Sequence, residues 1–239
     1  MSLPTLDTPK YDLVVPSTGQ KLKFRPFVVR EQKIMLQAME MGDKDQLNNA
    51  VEDIIKSCTF GEFDVDNSPV YDVEYVLLNI RAKSSGEVVD MFYRCNNIVE
   101  DNKCGSKIPV QIPLGDVQVV KPDGHSNKIM LANNVGLTMR DLPYGVYKTS
   151  TGKSVSEVGI EMISHCVENV FDAENVHSRK DFTQQELETF LEGLTNEQFD
   201  EIEKFMDTMP RLETKLPMTC PSCGAQDTVT LSGLDDFLA

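Results

Sequence analysis

Cys220-Pro221-Ser222-Cys223-Gly224 constrains this chain more than any other segment. Two cysteines separated by two residues let both thiolates reach one metal ion from a tight turn. The glycine after the second lets the backbone turn back with its amides facing sulfur. One such knuckle supplies only two of the four ligands a structural zinc takes. Cys95 and Cys104, followed by Gly105, supply a second pair, with the polar, turn-rich insert Asn96–Lys103 between them. The two pairs share their downstream pattern. Val110 and Ile112 stand six and eight residues past Cys104, and Val229 and Leu231 stand at the same offsets past Cys223. Each half therefore reads as a knuckle followed by a strand. The expectation is one structural Zn²⁺ per chain on Cys95, Cys104, Cys220 and Cys223, in a split Cys₄ zinc ribbon; the alternative is two unrelated thiol pairs. Four thiolates leave no open coordination position, so such a site is structural and not catalytic.

The distance between the pairs, about 115 residues, exceeds the usual ribbon spacing and implies an inserted domain. The chain divides accordingly into an N-terminal hairpin and helices (1–86), a first ribbon half (87–121), an inserted hairpin with an acidic helical block (122–215), and a second ribbon half with an acidic tail (216–239). The fold class is α+β. Tyr11–Val15 and Lys21–Arg25 flank Pro16-Ser17-Thr18-Gly19 as a β-hairpin, with Lys21, Lys23 and Arg25 on a solvated face. Helices are expected over Arg30–Met41 and Asp45–Cys58 and from Pro69 through Ile80. Asp64, Asp66 and Asn67 resemble the start of a calcium loop, but its glycine and terminal glutamate are missing, so they read as a turn. Strands are expected over Glu87–Arg94, Lys107–Leu114 and Val117–Lys121, and a hairpin around Ala132-Asn133-Asn134.

From Ser154 the pattern turns helical. Ser154-Val155-Ser156-Glu157 is a capping box opening a helix to Val170, and Thr183-Gln184-Gln185-Glu186 and Thr195-Asn196-Glu197-Gln198 repeat the signal. The two acidic helices carry Leu187, Phe190, Leu191, Phe199, Ile202, Phe205, Met206 and Met209 on their apolar faces. Such faces fit core packing, and also an adaptable groove for a partner helix.

Charge narrows the function. The 239 residues carry 38 acidic and 23 basic side chains, a net charge of −15. Binding to a phosphate backbone depends on basic side chains releasing counterions, so nucleic acid and anionic membranes are poor partners and protein surfaces better ones. A nucleic-acid-binding zinc ribbon protein remains the alternative from a different class. The N-terminus has no charged n-region or apolar h-region, so the chain is expected to stay where it is made. Six cysteines in a reducing compartment favour metal over disulfides. Enzyme signals fail. Thr151-Gly152-Lys153-Ser154 lacks the upstream glycine of a phosphate-binding loop, where Tyr147 stands. His125, His165 and His177 have no nucleophile and acid at recognisable spacing. A hydrolase with an unrecognised site would need a pocket pairing a histidine with a carboxylate or thiol.

Several segments together resemble the T-even phage baseplate hub family of contractile-tailed phages. They are Leu3-Pro4-Thr5-Leu6-Asp7, Val15-Pro16-Ser17-Thr18-Gly19, Lys23-Phe24-Arg25-Pro26-Phe27, Arg81-Ala82-Lys83-Ser84-Ser85-Gly86-Glu87 and His125-Ser126-Asn127-Lys128-Ile129. The wide Cys95–Cys104 spacing departs from a plain knuckle. The resemblance implies a non-enzymatic, chaperone-like assembly factor, or a hub subunit kept in the virion. It implies contacts with baseplate hub and tape-measure proteins, and work in the host bacterial cytoplasm during tail assembly.

Overall fold

Alternation of apolar and polar residues builds the first element, a hairpin of β1 (Tyr11–Val14) and β2 (Lys21–Phe24) paired Tyr11↔Phe24 through Val14↔Lys21. The computed structural model describes residues 7–132, 134–150, 155–233 and 237. The acidic tail apart from Phe237, and the Thr151–Ser154 segment that includes the start of the first capping box, lie outside these. Helices α1 (Val29–Met41), α2 (Lys44–Cys58) and α3 (Val70–Ser85) follow. Asp43 caps α2 by accepting from the amides of Asp45 and Gln46. Leu22 and Phe24 of the hairpin are buried against Val51, Ile54 and Ile55 of α2 and Val73, Val76 and Ile80 of α3, forming the first core.

Arg25 departs from the solvated face expected of it. Its guanidinium turns inward, donating to Glu31 Oε1 at 2.9 Å and Ser57 Oγ at 2.8 Å. The strand ends at Phe24, so alternation no longer dictates where the next side chain points, and a buried carboxylate draws it in. Asp64 and Asn67 form a turn, with the Asn67 amide donating to Asp64 Oδ1 at 3.2 Å.

Strand β3 (Val88–Arg94) runs to Cys95. A small hairpin, β4 (Ile98–Val99) and β5 (Asn102–Lys103), precedes Cys104, and β6 (Lys107–Pro113) returns antiparallel to β3. A 3₁₀ turn at Leu114–Asp116 leads to β7 (Gln118–Val120). After β7 come β8 (Lys128–Met130), β9 (Gly136–Met139), α4 (Tyr144–Ser150), α5 (Val155–Cys166), β10 (Val167–Phe171), β11 (Val176–Ser178), α6 (Gln184–Glu192) and α7 (Asn196–Asp207). The helix expected to reach Val170 stops at Cys166. Val167 pairs with Met139 and Val170 with Leu137, so the sheet captures a β-branched stretch whose apolar spacing also fits a helix. The result is a four-stranded antiparallel sheet in the order β11-β10-β9-β8.

The apolar faces of α6 and α7 cover this sheet. Leu187, Leu191, Ile202 and Phe205 are buried with Ile129, Leu137, Met139 and Val167. Core packing thus takes up the face that could have served as a groove. Helix α4, which the sequence pattern does not reveal, reaches back to the first core. Tyr144 is buried there, its amide donates to the Ser68 carbonyl at 2.9 Å, and Lys148 pairs with Glu52 and Asp66.

The chain closes with β12 (Arg211–Thr219) and β13 (Gln226–Ser232), and β7 pairs with the other edge of β12. Seven α-helices and five small sheets make the described residues an α+β fold. No helix among them is long and apolar enough to cross a membrane.

Candidate metal centre

The two knuckles sit at the ends of the hairpins β3–β6 and β12–β13, and they have the same backbone. The Cys95 amide donates to the Ser106 carbonyl at 2.9 Å, and the Gly105 amide donates to the Cys95 carbonyl at 3.0 Å. The Cys220 amide donates to the Ala225 carbonyl at 2.8 Å, and the Gly224 amide to the Cys220 carbonyl at 2.9 Å. Gly105 and Gly224 both adopt left-handed backbone, φ 62° and 72°, where a Cβ would be strained. The longer first loop keeps this geometry by folding its surplus into β4–β5. Glu100 and Asp101 at its tip both have positive φ, as a two-residue I′ hairpin turn requires. The Cys104 amide, donating to the Asn97 carbonyl at 2.8 Å, closes the base.

The hairpins pack through Ile108, Val110 and Met218 beside the cysteines, and through Ile112, Leu212 and Leu231 farther along. Packing brings the knuckles together. Cys95 Sγ lies 3.7 Å from Cys223 Sγ, Cys104 Sγ lies 3.8 Å from Cys220 Sγ, and all four sulfurs fall within 4.8 Å of one another. A tetrahedral ion with Zn–S bonds of about 2.3 Å would place its sulfurs about 3.8 Å apart. A disulfide would need about 2.05 Å. The donor set therefore fits a tetrahedral, thiophilic metal ion. Cys95 and Cys220 are buried and the other two half-buried.

The electrostatics also suit a cation. Backbone amides of Cys223 and Ser222 pull the Cys220 thiol down to about 6. The Ala225 amide and the Asn97 side chain lower Cys223, with Asn97 Nδ2 3.6 Å from its sulfur. The amides of Asn97 and Ser106 also favour the thiolates of Cys95 and Cys104. Burial and the neighbouring sulfurs outweigh them, lifting both thiols, Cys95 to about 12. Four thiolates this close repel one another, and a dication relieves that repulsion. Asn97, and the Ser222–Ser106 hydroxyl pair at 2.8 Å that ties knuckle to knuckle, went unnoticed in the sequence. Only their positions next to the cysteines pointed to them.

Cys58 and Cys166 stand apart from the cluster, fully buried in the first and second cores. Burial pushes their thiols up to about 11 and about 12. His125 lines a cleft of about 690 Å³ together with Asp141 and Ser17. Its Nδ1 meets Thr208 Oγ1 at 3.0 Å and its ring stacks on Phe205. Asp141 accepts from the Tyr71 hydroxyl at 2.8 Å, and the Ser17 hydroxyl donates to Asp72. Each of these groups thus has a hydrogen-bond partner among the described residues.

The family described as T4 bacteriophage base plate protein matches residues 8–239. The chain belongs to that family. Its members' resemblance to this chain therefore extends beyond the N-terminal segments, through both knuckles and the helical insertion. Among curated proteins, the baseplate hub assembly protein gp26 of Enterobacteria phage T4 is 24% identical over 231 residues, covering 95% of this chain and 96% of the relative. No solved structure matches the chain significantly.

Proposed function

We propose that this member of the T4 base plate family is a non-enzymatic assembly factor for a phage baseplate hub, acting through protein–protein contacts. The observation that carries the reading is the end-to-end similarity to a protein named for baseplate hub assembly. An acidic chain of net charge −15 suits protein partners and disfavours DNA. Its place of work is the host bacterial cytoplasm during tail assembly, and its partners are hub and tape-measure proteins. A second reading, a subunit retained in the virion, draws on the family's description as a base plate protein.

Within this role Cys95, Cys104, Cys220 and Cys223 hold one structural Zn²⁺. The fit of the sulfur spacing to a tetrahedral ion supports it. The ion supplies closure, joining the two hairpin ends so that the insertion between them is presented from a fixed base. Deleting the gene from the phage that carries it tests the role. Tails should stop at the hub and recover when the protein is supplied in trans; normal tails would overturn the proposal. Mass spectrometry of purified particles separates the two readings, since an assembly factor is absent from them and a subunit is present at hub stoichiometry.

A further inference from the structure

Helix α1 is held mainly at its first turn, where Glu31 takes hydrogen bonds from Arg25, Ser57 and the Val28 amide, and by Met35, half-buried against the first core. Of its 13 residues only Glu31 and Ala38 are buried. A helix this short is marginal in water on its own, and Ala38 with half-buried Met35 gives it only a narrow apolar contact. Val29, Ile34, Leu36, Met39 and Met41 are exposed instead. With Val28 they make six of the sixteen large apolar side chains exposed among the described residues, all within residues 28–41. Apolar residues scattered singly over a surface are ordinary, whereas a concentration on one element marks a contact surface.

The surface has a shape. Two of these exposed residues, Ile34 and Met41, line an open groove of about 640 Å³ between α1 and α2 together with Ala38 and Ala50, whereas Leu36 and Met39 face a separate cleft with Phe27 and Leu77. The groove's charged lining residues are Glu40 and Asp53. Both are exposed, and neither is ion-paired with a described residue. Gln37, Gln46 and Asn49 also line it, so the groove pairs an apolar strip with polar and acidic edges. An amphipathic helix is recognised in this way, the strip taking its apolar ridge and the acidic edge choosing the sign of the flanks. Unbranched Met41 lets the strip adapt to the ridge it receives.

We propose that the α1–α2 groove binds an amphipathic helix of a partner protein whose apolar ridge is flanked by Lys or Arg. The acidic edge selects such flanks. The chain's net charge of −15 works against a second copy of itself as the occupant. The inference names a partner class for the assembly role proposed above and rests on that reading.

The test uses the full chain and two synthetic peptides of ~18 residues, a length that spans such a groove. Both carry a leucine ridge at helical spacing, one with lysine flanks and the other with glutamate flanks. The lysine peptide should bind at least about tenfold more tightly. Glu40→Lys with Asp53→Lys should reverse the preference, and Ile34→Ser with Met41→Ser should weaken both peptides. All four side chains are exposed, so folding should be unchanged by circular dichroism. A preference that survives the charge reversal, or binding indifferent to Ile34→Ser with Met41→Ser, would overturn the proposal. So would a dimer in sedimentation that Met41→Ser dissolves. Introducing Ile34→Ser with Met41→Ser into the phage separates the two readings. Blocked tails on gene deletion but normal tails with this variant would sink the groove alone. Normal tails on deletion would sink the assembly role, with the peptide result then standing by itself.

Discussion

Cys95 Sγ lies 3.7 Å from Cys223 Sγ across 128 residues of chain. Cross-linking so long a loop removes on the order of 4–5 kcal/mol of unfolded-chain entropy in the simplest model. A metal here would therefore stabilise more than the knuckles. It would tie β3–β6 to β12–β13 and limit how far the insertion can stray.

Metal content follows directly. Purified protein should contain about one zinc per chain by mass spectrometry, as one Cys₄ site requires. Cys223→Ser should lose it and lower the melting temperature, while Cys58→Ala should keep it. Zinc retained in Cys223→Ser would remove that cysteine from the site.

Thiol accessibility provides an independent count. A chelator should expose Cys95, Cys104, Cys220 and Cys223 to a thiol reagent at mildly alkaline pH. Cys58 and Cys166 are fully buried with raised pKa values, and should react only after unfolding. Reaction of all six on chelation alone would mean that the ion holds the whole fold together.

Acid should find a weak point at Glu31. Burial alone would raise its pKa, but hydrogen bonds from Arg25, the Val28 amide and Arg30 outweigh burial and bring it to about 2. The folded state therefore prefers the carboxylate. The stability this gives is complete above the ordinary value of 4.5 and is lost as pH falls from there toward 2. Glu31→Gln should cost up to about 3 kcal/mol at pH 7 and flatten the acid limb of stability. Urea titrations at pH 7 and pH 3 would measure both effects. An equal gap between wild type and variant at the two pH values would count against the charge as the cause.

Two glycines should fail for different reasons. A methyl at Gly136 would sit 2.4 Å from the Ile129 carbonyl oxygen and 2.5 Å from Cζ of Phe171, wedging β9 away from its neighbours. Gly136→Ala should cost about 1–3 kcal/mol by overpacking. At Gly224 nothing lies within 4 Å, and the obstacle is the left-handed φ of 72°. Gly224→Ala should cost about 1–2 kcal/mol. Gly224→Asn should cost less, because asparagine tolerates that conformation, whereas Gly136→Asn should be worse than alanine. Thermal melts of the four variants give the ranking.

What the sequence determined by itself was local. Cys-Gly pairs mark knuckles because glycine alone enters left-handed backbone without strain, and both turned out to share one hydrogen-bond pattern. Thr183 and Thr195 mark helix starts because a hydroxyl and an acid or amide three residues on satisfy free amides, and both capping boxes form. Equal offsets past the cysteines put Ile112 and Leu231 in one core, since strand period is fixed at two. Everything that depended on a distant partner was decided by the tertiary structure. Val167–Phe171 became a strand because β9 offered an edge. Arg25 turned inward because Glu31 and Ser57 waited across the chain, and α4 formed where Tyr144 could enter a core built from residues 13–80. The approach of Cys95 to Cys223 belongs to the same class. Spacing can prepare two half-sites, but only the packing of two hairpins onto each other sets the distance between their sulfurs.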